Sequence, residues 1–218
     1  MKHSIVFTLG AVLSLLLVPA CSNPADHVPA AHVAEAGDHA GHGDAPAAAA
    51  AGMEGEVFTL GEGSSIGFVG SKITGSHDGG FHGFEGWINL VDGDPAKSQV
   101  EIEIDTTTLW ADNEKLTGHL KSPDFFDVEK FPTAMFTSTQ ILPEGNGYVI
   151  VGDLDLHGVT KEISFPAEII VEPDRITART EFSIKRYDFD IVYPGSPDDL
   201  IRDEVVVKLD LVAQPPEG

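Results

Sequence analysis

The sequence predicts an all-β domain, a closed antiparallel barrel or a sandwich of about eight strands, and three observations predict it. From Glu56 onward apolar and polar residues alternate with period two in run after run, the pattern of strands with one wet face. Turn-forming clusters such as Gly145-Asn146-Gly147 and Glu172-Pro173-Asp174 separate those runs at short intervals. Only one short passage has a helical character. Of 218 residues 42% are hydrophobic, enough for a packed core.

In chain order, Met1-Lys2-His3 is a short basic start, and residues 5–18 form an apolar run too short to span a bilayer. Residues 1–20 therefore read as a secretory signal peptide. From residue 21 to 55 the composition shifts to Ala, Gly, Pro, Asp and His, without a strand-former cluster or a helical apolar stripe. This stretch is expected to be a flexible tether. Residues 56–214 are expected to form the barrel domain. Its strands include Val100, Ile102 and Ile104 against Glu101 and Glu103, then Tyr148, Ile150, Leu154 and Leu156 against Asp153 and Asp155. Ile163, Phe165, Ala167 and Ile169 repeat the period. Ile176, Ala178, Phe182 and Ile184 follow, and Val205, Val207, Leu209 and Leu211 close the chain. The helical passage covers residues 112–121, with Asp112 as its expected N-cap and a further turn at residues 124–126. His77-Asp78-Gly79-Gly80 reads as a hairpin turn, because Asp-Gly supplies the positive φ that tight turns need.

Charge narrows the function. Thirteen Lys and Arg against 35 Asp and Glu give a net charge of −22, which excludes a nucleic-acid partner and charge-driven docking on anionic lipid. The single cysteine, Cys21, forms no intramolecular disulfide. It stands at the end of Val18-Pro19-Ala20-Cys21, which resembles a bacterial lipobox, and the resemblance implies acylation of Cys21 and a lipid-anchored envelope protein. Ser22, where inner-membrane lipoproteins usually carry Asp, favours the outer membrane of a Gram-negative-type cell, on its periplasmic side.

Residues 113–141, NEKLTGHLKSPDFFDVEKFPTAMFTSTQI, resemble the signature of the YceI-like family of polyisoprenoid-binding periplasmic proteins. GYVIVGDLDLHGVTKEISFPAEI, RYDFDI and DEVVVKLDLVA match further family segments in order. The resemblance implies a lipocalin-like antiparallel β-barrel of about eight strands, a short helix covering one opening, and an apolar tunnel for a long isoprenoid tail.

The inward phase of the strands nominates Phe68, Phe84, Ile88, Ile102, Ile104, Phe136, Leu154, Leu156, Phe165, Phe182 and Ile184 as tunnel lining. Plain barrel core is the alternative for each. His119, beside the helix end, is read as a structural histidine, with a headgroup contact as the alternative. His157 is expected to pin a tight turn rather than act as a base. No catalytic set shares the inward phase and no GxSxG elbow is present, so no catalytic residue and no cofactor are assigned. His39 and His42, three apart with Asp38 and Asp44 beside them, are a metal-site alternative to a solvated spacer. The reading is therefore a non-enzymatic lipoprotein that carries or sequesters a long apolar lipid. Two alternatives stand beside it: a stress-related or interaction module with a solid barrel, and an enzyme acting on isoprenoid quinones. The oligomeric state stays open, a dimer included.

Overall fold

The computed structural model describes residues 22–37 and 54–216. Twelve strands are described: β1 (His32–Glu35), β2 (Glu56–Leu60), β3 (Ser65–Lys72), β4 (Gly75–Val91), β5 (Asp94–Ala111), β6 (Thr133–Glu144), β7 (Gly147–Leu156), β8 (Val159–Glu172), β9 (Arg175–Lys185), β10 (Gly195–Ser196), β11 (Asp199–Leu200) and β12 (Glu204–Gln214). The helix α1 spans Glu114–Lys121. β2 and β3 pair in succession along β4, at Glu56–Thr59 against Leu90–Trp87 and at Ile66–Lys72 against Phe81–Gly75, so together they serve as one interrupted barrel strand. Neighbours then run β4, β5, β6, β7, β8, β9 and β12, and β12 pairs back onto β3 and β2. This is the closed eight-strand antiparallel barrel expected, and closure leaves no long unpaired edge.

Strand alternation builds the interior. Ile88, Ile102, Phe136, Ile150, Ile163, Phe165, Ile176, Phe182 and Leu211 are all buried in one core cluster. Antiparallel order sends successive connections to opposite ends. The β4–β5, β6–β7 and β8–β9 turns form one end, here the turn end. The β3–β4 and β7–β8 turns, α1 and the β10–β11 ribbon form the other, the helix end. There Leu109, Leu120, Phe125 and Ile191 make a second small core.

Local chemistry explains the turns. His157 and Gly158 have φ of +56° and +75°, and Asp92 and Gly93 have +55° and +70°. Both pairs are two-residue turns with positive φ at each position, which matches the twist of the flanking strands. The imidazole Nδ1 of His157 lies 3.2 Å from the Phe189 carbonyl oxygen, and its ring packs on Phe131, so it does pin its turn. The expected turn at His77-Asp78-Gly79-Gly80 is corrected: these residues lie inside β4, and the β3–β4 turn is Ile73-Thr74. Gly79 and Gly80 serve the wall instead. A Cβ on Gly79 would stand 2.4 Å from the Phe68 ring, so this glycine makes room for an aromatic side chain. The N-cap of α1 is likewise Asn113, whose side chain accepts from the Leu116 N–H at 3.1 Å. Asp112 is engaged elsewhere, with Oδ1 2.8 Å from His77 Nδ1 and Oδ2 accepting from the Asp78 N–H.

The largest correction concerns the tether. Residues 24–35 are not a free spacer but a strap on the barrel. Pro24–His27 form a 3-10 turn capped by Asn23 and packed against β12. Ala31 N–H donates to Ser183 O at 2.8 Å, Ser183 N–H donates to Pro29 O at 2.9 Å, and β1 then pairs with β8 at His32–Glu35 against Ser164–Lys161. The seam exists because β8 and β9 pair only at Glu168–Glu172. Beyond that stretch comes Pro166, which has no N–H to give a ladder. The two strands part there, and the strap fills the gap. Alternation across four residues is too short a pattern to show in an Ala-rich sequence. Residues 1–21 and 38–53, with Cys21, His39 and His42, lie outside the described residues.

Candidate functional site

The barrel encloses one continuous cavity of about 450 Å³, within the range of small-molecule sites. Every strand of the closed barrel except β2 contributes to its wall. Because each strand presents alternate residues inward, a wall built from Ile, Leu, Val and Phe at those positions is apolar along most of its length. Ten of the eleven residues nominated from strand phase lie on it: Phe68, Ile88, Ile102, Ile104, Phe136, Leu154, Leu156, Phe165, Phe182 and Ile184. Phe84 does not. The β4–β5 register shifts between Phe81 and Gly83, which brings Phe81 onto the wall, while Phe84 keeps the inward phase of Ile88 and packs against the same core without lining the cavity.

Phe136 depends on a glycine. A Cβ on Gly152 would lie 2.6 Å from the Phe136 ring and 2.4 Å from Thr137 O, so the opposing strand carries no side chain where the ring rests. Phe165 and Phe182 face each other across the β8–β9 seam with Phe136 beside them, at 5.7 Å from Phe165.

The helix end is where charged groups line the cavity. Phe125 and Phe126, in the turn after α1, cover part of the opening, Phe126 meeting Phe68 and Phe81 at 6.2 and 5.8 Å. The remaining rim includes Lys72, His77, Tyr193, Ser196 and Asp199. Lys72 forms an ion pair with Asp199, whose carboxylate also accepts from Thr74 N–H and Oγ1 at 3.2 and 2.9 Å. The Lys72 hydrogen bond chiefly holds the Asp199 carboxyl below its ordinary range, opposed by desolvation and aided by the hydrogen bonds from Thr74. This clasp ties the β3–β4 turn to the β10–β11 ribbon.

Arg186 is buried beneath that ribbon. Its guanidinium donates to Ile191 O at 2.6 Å, Arg202 O at 3.0 Å and Ile201 O at 3.4 Å, which neutralises three carbonyl dipoles. Burial pushes its pKa below that of a free arginine, partly offset by Tyr187 and Asp203. His119 is not on the cavity wall. Its Nε2 lies 2.9 Å from Asp124 Oδ2, and its ring packs edge-on against Phe125 and Tyr193, so it supports two wall residues from behind. Among the described residues no group of three or more His, Cys, Asp or Glu is placed to share a metal ion.

Sequence reasoning missed Phe125, Phe126, Tyr193 and Ile201, because loops carry no period from which to read an inward face. The Phe-Phe pair following a helix was the available signal.

Known proteins share this architecture. A YceI protein of Escherichia coli is 35% identical over 119 residues, 52% of this chain and 62% of that protein. A UPF0312 protein of Photorhabdus laumondii is 39% identical over 94 residues, 43% of this chain and 49% of the relative. The chain thus spans about half to three fifths of the length of these curated relatives. Among solved structures, Burkholderia cenocepacia BcnA matches with a TM-score of 0.62 at 24% identity, over 69% of this chain and 96% of BcnA. A polyisoprenoid binding domain from Saccharophagus degradans matches with a TM-score of 0.60 at 20% identity, over 73% and 98%. These two likenesses show the shared barrel. The YceI-like domain pattern itself matches residues 60–213, most of the chain and nearly the whole closed barrel, and the chain accordingly belongs to the YceI-like family.

Proposed function

We propose that this chain is an envelope lipoprotein, anchored through Cys21, that binds a long apolar lipid of the polyisoprenoid type in its barrel for carriage or sequestration. One observation carries the reading: a continuous cavity walled mostly by Ile, Val, Leu and Phe, with Lys72, His77, Arg186 and Asp199 gathered at one end. A polyprenyl tail offers no hydrogen bonds, so a wall without donors or acceptors suits it. Each Å² of tail surface removed from water contributes about 25 cal/mol. The volume enclosed supports a ligand-holding barrel over a solid one. The polyisoprenoid binding domain of Saccharophagus degradans, which shares the fold, supports the ligand class. Val18-Pro19-Ala20-Cys21 supports the anchor.

Native mass spectrometry of the protein extracted from bacterial membranes tests the binding reading. A co-purifying polyprenyl lipid that remains unmodified is expected. An empty barrel in all preparations, or one that turns the lipid over, would sink it. Fatty-acid labelling of wild type and Cys21→Ser tests the anchor separately: wild type is expected to label and the variant to leave the membrane fraction.

A further inference from the structure

We propose that the helix end of the barrel docks on a neutral, zwitterionic phospholipid surface, with Ile73, Tyr187, Val192 and Leu200 as its embedded contacts and the cavity opening into the bilayer. The proposal rests on the carrier reading above, and its test separates the two.

Six large hydrophobic side chains are exposed among the described residues, and these four sit at the helix end. Val192 is 59% exposed and Ile73 52%. Hydrogen bonds hold the four together around Ile201. Ile73 N–H donates to Leu200 O at 3.2 Å, and Ile201 N–H donates to Pro194 O at 3.0 Å, two residues beyond Val192. Arg186 reaches both Ile201 O and the Tyr187 hydroxyl. The cavity lining adjoins these residues in the chain, at Lys72, Arg186, Tyr193, Asp199 and Ile201. This apolar ring would bring the bilayer to a mouth whose rim carries Lys72, His77, Ser196 and Asp199 and whose cavity beyond is apolar, so a lipid tail passes from bilayer to barrel with little exposure to water.

The strap sets which occupant covers this ring. Asn23 Oδ1 accepts from Ser71 Oγ at 3.4 Å, two residues from Ile73, and the strap beyond it is bonded to Ser183. Cys21 precedes Asn23 by two residues, a length of chain that reaches at most about 7 Å. An acyl anchor on Cys21 is thereby held beside the exposed ring, not at the end of a long leash. Asp188, Asp190, Asp198 and Asp203 flank the ring in sequence, and the net charge is −22. An anionic surface would repel this end, whereas a zwitterionic one accepts aromatic and aliphatic side chains to a depth of about 5–10 Å.

The test couples the chain from Cys21 onward, through its single thiol, to a maleimide phospholipid in phosphatidylcholine vesicles. Anchoring then does not depend on natural acylation. A photoreactive p-benzoylphenylalanine is placed at position 192 or 200, and for comparison at position 142 or 170, the exposed apolar sites toward the turn end. Crosslinking to phospholipid is expected to be roughly tenfold higher at 192 and 200 than at 142 and 170, as interfacial immersion of one end requires. Equal yields at both ends, or crosslinks at 192 and 200 only to a second copy of the chain, would overturn the proposal. Uptake of a polyprenyl lipid from detergent is measured on the same protein. If crosslinking is one-ended while uptake fails, docking stands and the carrier reading falls.

Discussion

Phe165 and Phe182 stack face to face with ring centroids 4.2 Å apart and planes 8° from parallel, at the point where the backbone ladder between their strands has ended. β8 and β9 pair only from Glu168 to Glu172, so the two rings facing the lumen, and the strap within the wall itself, close a seam that the β8–β9 ladder leaves open. Both rings also line the cavity. One pair of side chains therefore holds the wall together and faces the lumen.

Ala178 separates a lumen from a core. It lies on the cavity wall, in register with Ile169 and Leu211. Ala178→Trp is expected to keep stability within about 1 kcal/mol and to abolish lipid co-purification, whereas overpacking a filled core costs about 1–3 kcal/mol. Denaturant unfolding together with lipid extraction checks this; a large destabilisation with unchanged lipid would show that no free volume exists at this position.

Removing the strap should weaken the barrel. Deleting residues 24–35 uncovers the Ser183 backbone and the free side of β8 from Lys161 to Ser164. At about 1 kcal/mol net for each hydrogen bond lost, a handful of bonds predicts destabilisation of about 2–4 kcal/mol. An unchanged urea midpoint would mean that the strap adds nothing.

Acid should open the clasp at the mouth. Asp199 has its pKa lowered in the folded state by Lys72 and Thr74, so the stabilisation it brings is complete above the ordinary carboxylate value of 3.8. It is lost as pH falls through the lowered folded value. Hydrogen exchange of the Ile73 and Thr74 amides is expected to quicken in that acid window in wild type. In Asp199→Asn these amides should exchange fast at neutral pH too, and slow exchange in the variant would count against the clasp.

Arg186 is predicted to be structural and not replaceable by lysine. Arg186→Met strands carbonyls of Ile191, Ile201 and Arg202 that are now satisfied, a loss of about 2–4 kcal/mol. Arg186→Lys should recover little, because one ammonium does not span three acceptors fixed by a planar fork. Thermal unfolding of both variants decides it; full stability of the lysine variant would contradict the role assigned.

The amino-acid sequence by itself determined an all-β domain and most of its inward face. Period-two alternation is a local property that a barrel and a sandwich share, and the YceI-like resemblance implied the barrel. Ile102, Phe136, Leu154 and Phe182 were legible on the cavity wall for that reason. Tertiary structure decided what depends on contacts distant in the chain. Phe81 joined the wall because a register shift between two long strands turned it inward. Asp112 left the helix cap to Asn113 because His77, 35 residues away, claimed its carboxylate. The strap became a strand only because Pro166 ends one ladder and leaves Ser183 unpaired for Pro29 and Ala31 to meet. An Ala- and Pro-rich segment has no periodicity of its own, and its partner's vacancy gives it structure.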